Sequence, residues 1–310
     1  MSKNIDIISF NILNRQFSPI QMLLKKHNLE KKEIKELVKK EIKRFNQIIG
    51  PNLIKFFKSI SDNTIIFLQE VNSHFLSDIK NNFSKNQIFV TTEQDYVIQK
   101  GINNKTHKNI YDDFRVIILP EFLTKNKISF GDIIITTAYA SKPVLKVSIN
   151  LPDYNLVLFN VHLHWKLTNA ELNDVAEKIY GDIKKNYLDL SKTRIIISGD
   201  FNKSKKKVEN FFCEPINLKS QIKIQNNHKT NDLDFTSHTT DITESKQYDV
   251  IDHILTYNIT TIGNIEIINK IKTELIMINS NKLIEQLETT NYSSDNISDH
   301  LIIKLKIKLY

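Results

Sequence analysis

A single cysteine, Cys213, excludes an internal disulfide framework and fits a reducing compartment. Six glycines and six prolines in 310 residues leave little material for a flexible linker, so residues 1–310 are read as one domain. No apolar run approaches the length of a transmembrane helix. Residues 1–10 carry one lysine and an apolar stretch broken by Asp6 and Ser9, too short and too polar for a secretory signal. The expectation is an intracellular protein, cytoplasmic or nuclear, neither secreted nor membrane-bound. No helical seam reads as an oligomer interface, so monomer is the default.

What is present is a chain able to bury a full core, 40% hydrophobic, with an excess of base over acid. Lys plus Arg number 43 against 35 Asp plus Glu, a net charge of +8, and such a surface attracts polyanions, nucleic acid being the obvious one. A coding bias toward Lys, Asn and Ile produces the same excess, so charge alone decides nothing.

Hydrophobic periodicity organises the chain. Residues 4–10 (NIDIISF), 64–68 (TIIFL) and 194–198 (RIIIS) read as buried strands. Residues 30–49 switch to helical spacing through Ile34, Leu37, Val38, Ile42 and Phe45, and Phe75, Leu76, Ile79 and Phe83 predict a second helix. Residues 115–119, 128–135, 144–151 and 156–161 form a succession of β-rich runs, with Pro152-Asp153 as a tight turn, which predicts antiparallel pairing. Thr168 with Glu171 is a capping-box signal before a helix through Leu172, Val175, Ile179 and Ile183. Residues 214–234 read as a long loop, and residues 250–257 and 301–309 as the last clear strands, with less regular runs at 262–268 and 275–278. Antiparallel runs mixed with α/β alternation predict a four-layer α/β sandwich, two packed mixed β-sheets flanked by helices.

Acid, amide and histidine side chains recur where the apolar runs end. They are Asn11 in SFNIL, Glu70 in LQEV, His162 and His164 in NVHLHW, Asp200 and Asn202 in SGDFN, Asp252 and His253 in IDHIL, and Asp299 and His300 in SDH. Hydrolysing a phosphodiester needs a hard cation held by carboxylates, a positioned water, and donors for the phosphoryl oxygens. Each motif alone is weak: an Asn after a strand is most often a turn residue and a lone His is most often structural. Their joint occurrence beside successive strands is what an ordinary globular reading does not explain.

In this order the motifs resemble the endonuclease/exonuclease/phosphatase superfamily with its DNase I-like fold, and SFNIL with NVHLHW leans toward the deadenylase and nocturnin-like branch. The resemblance runs from Asn11 to His300, GDFN and the final SDH being its most specific parts. It implies a Mg²⁺- or Mn²⁺-dependent nuclease hydrolysing RNA or DNA, with the metal held by Glu70, Asn11 and Asp299. By the same resemblance Asp200 activates the attacking water, Asn202 contacts the nucleophile or phosphate, and His162 faces the phosphate. His300 donates to the phosphoryl oxygen and Asp252 orients it, so that Asn11, Asn202 and His162 also serve as substrate contacts. Phosphatase or phospholipase action on inositol phosphates, nucleotide adducts or sphingolipids is the alternative. The segment Tyr248-Asp249-Val250-Ile251 lacks the tryptophan-cysteine pair usual in inositol phosphatases, and no membrane-binding hydrophobic loop is evident. A catalytically inactive binding relative is less favoured, because Glu70, Asp200, Asn202 and His300 are all present.

Several neighbours receive the plainer reading. Asp112, Asp113 and Arg115 are expected in a solvated turn entering a strand. Lys203 to Lys207 (KSKKK) is either a phosphate contact or a solvated helix start. Trp165 and Tyr248 flank two motifs and could stack on bases, although an aromatic beside a strand is usually core.

Overall fold

The computed structural model describes residues 3–12, 32, 39, 46–47, 50–92, 96–100, 106–110, 113–137, 140–187, 189–213, 225–226, 237–238, 248–249, 251–267 and 302–309. The strands are β1 (Lys3–Asn11), β2 (Thr64–Val71), β3 (Ile88–Val90), β4 (Tyr96–Lys100), β5 (Thr106–Ile110), β6 (Phe114–Ile118), β7 (Lys127–Thr136) and β8 (Ala140–Asn150). They continue with β9 (Asn155–His162), β10 (Thr193–Asp200), β11 (Gln225–Asn226), β12 (Ser237–His238), β13 (Tyr248–Asp249), β14 (Asp252–Tyr257), β15 (Thr260–Ile267) and β16 (Ile303–Leu309). The principal helices are α1 (Gly50–Ile60), α2 (Ser73–Asn82) and α3 (Asn169–Asn186).

Two mixed sheets result. One has the order β15-β16-β1-β2-β6-β3, and the other runs β11-β14-β10-β9-β8-β4-β5 with β7 paired to β8. Each contains one parallel pair, β1 with β2 and β9 with β10, and the remaining pairings are antiparallel. The β8–β9 hairpin closes where Pro152-Asp153 was expected to turn, with Leu151 N–H donating to the Tyr154 carbonyl.

The four layers follow from strand parity, because successive side chains point to opposite faces. In β1, Ile5 and Ile7 enter the core between the sheets while Ile8 and Phe10 pack under α1 and α2 with Leu53, Phe57, Phe75 and Ile79. In β10, Ile196 joins the inter-sheet core, whereas Ile195 and Ile197 pack against Leu172, Val175 and Ile179 of α3. Three apolar interfaces therefore separate helices, sheet, sheet and helix. The expected capping box starts α3: the Thr168 hydroxyl accepts from Glu171 N–H, and the Glu171 carboxylate accepts from Thr168 N–H.

Some elements differ from expectation. α1 was not anticipated, although Leu53, Ile54 and Phe57 give it a buried stripe and Pro51 sits in its first turn, where a missing N–H costs nothing. Strands β3, β4 and β5 were missed because they are short or polar, as in THKNI. The helix expected at 30–49 lies outside the described residues apart from four scattered positions, as do 275–278 and most of 214–234.

The inter-sheet layer also contains a polar clamp. Asn160, fully buried in β9, donates from Nδ2 to the carbonyls of Leu68 and Val116 in the opposite sheet, both at 2.9 Å. Its Oδ1 accepts from Gln69 Nε2 at 2.7 Å. Replacing Asn160 by Ala removes three directed bonds at once from a dry layer, so a loss of about 3 kcal/mol is expected. Urea unfolding followed by far-UV circular dichroism measures it, and a loss below about 1 kcal/mol would show that the sheets do not depend on this contact.

Candidate active site

Strand parity explains how the polar residues gather. On the inter-sheet face, Ile5 and Ile7 are succeeded by Ser9 and Asn11, Leu156 and Leu158 by Asn160 and His162, and Ile196 by Ser198 and Asp200. The inter-sheet layer is thus apolar along most of its length and polar at the carboxyl ends of both parallel pairs. In β14, Asp252 pairs directly with Asp200, so the two carboxylates share that face. His253 points the other way, is fully buried, packs edge-on against Phe201, and places Nε2 3.1 Å from the Lys203 carbonyl.

Glu70 violates the parity and reaches the site through a backbone device. Leu68 and Val71, three residues apart, both face the helices, and the β2–β6 register shifts between them. Within this bulge Glu70 takes φ of 55°, a left-handed conformation uncommon for a residue with a side chain, which turns its carboxylate toward the other sheet. Asn202, at φ of 50°, is a second such residue just beyond β10. Non-glycine residues held there cost about 1–3 kcal/mol each and cluster where function requires a particular aim. Gly199 is required for a different reason: a Cβ on it would stand 2.0 Å from the Val161 carbonyl oxygen of the paired strand.

The side chains converge. Asn11 Nδ2 donates to Glu70 Oε1 and to Asp200 Oδ2, each at 3.0 Å, linking one carboxylate from each sheet. His162 Nε2 lies 3.4 Å from Glu70 Oε1 and 3.8 Å from Asp200 Oδ2. Asn202 donates its backbone N–H to Asp200 Oδ1 at 2.7 Å and its Nδ2 to Asp200 Oδ2 and the Leu163 carbonyl, both at 2.9 Å. Asn11, Glu70, His162, Asp200, Asn202 and Asp252 are therefore brought to one end of the inter-sheet layer. Asp299 and His300 lie outside the described residues.

Glu70, His162 and Asp200 each offer an atom within 4.8 Å of the others, a group able to hold a metal ion. The chemistry of the surroundings fits. Three carboxylates, Glu70, Asp113 and Asp200, lie within 4 Å of one imidazole, with the Lys142 ammonium as a neighbouring cation, so the acidic groups outnumber it and a bound cation would offset the excess. The carboxylates supply hard oxygen donors suited to Mg²⁺ or Mn²⁺, and the ring nitrogen suits Mn²⁺ better than Mg²⁺.

Three contributors were missed or misread in the sequence. Asp113 is buried, its Oδ2 3.5 Å from His162 Nδ1, rather than in a solvated turn. Arg115 is fully buried and donates to the His162 carbonyl at 3.4 Å. Lys142 Nζ stands 3.1 and 3.2 Å from the two ring nitrogens of His162. For Asp113 and Arg115 the available signal was parity with Ile117 on the inter-sheet face of β6; for Lys142, in β8, there was none.

Other expectations are altered. His164 does not continue in register with His162, because β9 ends at His162 and the chain turns; its Nδ1 accepts from Lys166 N–H at 3.2 Å. Lys203 is buried and donates to the carbonyls of Trp165 and Leu167, so it is no phosphate contact. Burial, and next the charge of Lys207, push its ammonium below the usual lysine range, with Glu171 opposing. Lys205 to Lys207 open a short helix ending at Val208. A separate hollow of about 520 Å³ between α1 and α2, lined by Lys55, Lys58, His74 and Asp78, contains none of the site residues.

No family model matches the chain, and no curated protein matches it. Solved structures do. D. rerio TDP2 complexed with single strand DNA product superposes with a TM-score of 0.56 at 13% identity, covering 99% of this chain and 100% of that one. An endonuclease/exonuclease/phosphatase family protein from Bacteroides thetaiotaomicron gives 0.56 at 14% identity, covering 100% and 99%. Truncated Caenorhabditis elegans TDP2 gives 0.55 at 13% identity, covering 98% and 97%. This chain has the endonuclease/exonuclease/phosphatase fold. The four-layer expectation is thereby met, and the similarity at this identity concerns fold alone.

Asp113 lies at His162 Nδ1 while Nε2 faces Glu70 and Asp200, the placement of an outer partner that would orient the imidazole toward a cation held there. Asp113→Asn is expected to weaken Mn²⁺ affinity by about 10- to 100-fold, read by calorimetric titration. Unchanged affinity would remove Asp113 from that role.

Proposed function

We propose that the chain is a metal-dependent phosphodiesterase of one domain, acting on nucleic acid. The observation that carries this is the acid cluster itself: half-buried Glu70 from one sheet and buried Asp200 from the other, bridged by Asn11 and faced by His162. A structural role alone does not account for like charges assembled at the cost of a left-handed glutamate.

Glu70 would hold Mg²⁺ or Mn²⁺, with Asn11 fixing its orientation, and Asp299, outside the described residues, is assigned to the same ion by the sequence resemblance. A bound cation there eases ionisation of water and offsets charge on the phosphoryl oxygens. Asp200 accepts the proton of the attacking water. Its carboxylate is aimed by three donors, Asn11 Nδ2, Asn202 N–H and Asn202 Nδ2, which leave it little rotational freedom. Asn202 and His162 contact the scissile phosphate, while the roles of His300 as donor to a phosphoryl oxygen and of Asp252 as its orienting partner come from the sequence resemblance. The net charge of +8 favours a polyanion, and the neighbour captured with single strand DNA product points to the same substrate class.

The test is Mg²⁺- and Mn²⁺-dependent hydrolysis of end-labelled single-stranded RNA, poly(A), single-stranded DNA and an abasic duplex. Cleavage of at least one is expected, falling by about 10³-fold or more in Glu70→Ala, Asp200→Ala and His300→Ala. Failure to cleave any of them with either metal would withdraw the nuclease assignment and direct attention to inositol phosphates, nucleotide adducts and sphingomyelin.

A further inference from the structure

Trp165, the chain's one tryptophan, had two readings in the sequence, a base-stacking residue or a core aromatic, and it is 65% exposed. Scattered exposed hydrophobic residues are ordinary and exposure alone carries nothing. What distinguishes this indole is that its backbone is anchored, its ring is accompanied, and its loop is attached to the acid cluster.

The anchoring is a buried lysine. Lys203 Nζ donates to the Trp165 carbonyl at 2.7 Å and to the Leu167 carbonyl at 2.9 Å, and Leu167 N–H closes the turn onto the His164 carbonyl at 3.2 Å. Burying an ammonium is costly, and here it is spent on holding a surface turn in one shape. The ring is accompanied by His164, stacked with centroids 6.0 Å apart and planes 21° from parallel, and by Lys166, whose Nζ lies 4.9 Å from the ring centroid. The attachment is short. Trp165 follows His162 by three residues, a span of at most about 11 Å. Asn202, next to Lys203, meanwhile holds the Leu163 carbonyl as well as Asp200.

We propose that Trp165 is a stacking platform for a nucleobase of the substrate strand adjacent to the scissile phosphate. This rests on the nuclease reading and adds to it a subsite that recognises bases rather than phosphates. A flat, polarisable face accepts any base, so the platform confers affinity for an unpaired strand with little sequence preference. The Lys166 ammonium, which lies over the ring, swings aside as a base takes that face and supplies a partner for the neighbouring phosphate. A base held in the stack of a duplex cannot reach an exposed ring, so single-stranded or frayed substrate is favoured.

Because Trp165 is the only tryptophan, its emission reports on this site alone. Asp200→Ala protein in Mg²⁺ is titrated with a single-stranded octanucleotide and with an octamer of the same sugar-phosphate length lacking bases. Saturable quenching by the first and not the second is expected. In the active protein, Trp165→Ala is expected to lower the kcat/KM ratio of octanucleotide to abasic octamer by about 5- to 150-fold, mostly through KM, and Trp165→Phe to restore most of it. Equal quenching by both octamers would reduce the contact to charge and overturn the platform. Cleavage of nucleic acid with emission and KM ratio unmoved would overturn it while leaving the nuclease intact. No hydrolysis of nucleic acid, with a blue shift on sphingomyelin vesicles, would overturn both and assign the indole to a lipid surface.

Discussion

The side-chain amide of Asn160 crosses the gap between the two sheets and bonds to the backbone of two strands in the opposite one, while its oxygen accepts a hydrogen bond from Gln69 Nε2. An apolar layer between sheets tolerates small slides, because dispersion and burial have no direction. Three directed bonds in a dry layer do not tolerate them, since any slide strands a polar group. The clamp thereby sets the height of β2 and β6 against β9. Everything that depends on a carboxylate from one sheet meeting a carboxylate from the other depends on that height.

With the height set, the approach of Glu70 to Asp200 becomes a matter of local backbone. The bulge in β2 supplies one extra residue, and the left-handed turn at Glu70 redirects a side chain that regular pleating would send under the helices. On the facing sheet, Gly199 lets β10 lie against Val161 without a Cβ in the way, which brings Asp200 level with His162. Both sheets thus give up regularity at the same end. The local costs are accepted where the like charges are assembled, a pattern that a binding site explains and a structural core does not.

Positive charge is distributed with the same logic. Lys142 stands beside His162 within the cluster and Arg115 secures the strand end that carries it. Lys203 holds the turn of Trp165, and Lys166 accompanies the exposed ring. The overall excess of base is therefore not only a diffuse attraction for polyanions, since individual cations have been drawn into positioning tasks around the acidic group.

Periodicity by itself determined the buried strands, the capping box before α3, the hairpin turn at Pro152-Asp153 and the layered class, since these depend on local spacing and on turn chemistry confined to a few residues. It also marked Asn11, Glu70, His162, Asp200, Asn202 and Asp252, because polar residues that end apolar runs are visible without knowing where the runs go. Only the tertiary structure decided that these ends meet, and that Asp113, Arg115 and Lys142 belong with them, since their partners lie 20 residues or more away along the chain. It likewise decided that His164 turns aside, that Lys203 is buried and that Trp165 is exposed. Burial is a property of what another segment covers, and a strand's own residues carry no record of the neighbour that arrives or fails to arrive above them.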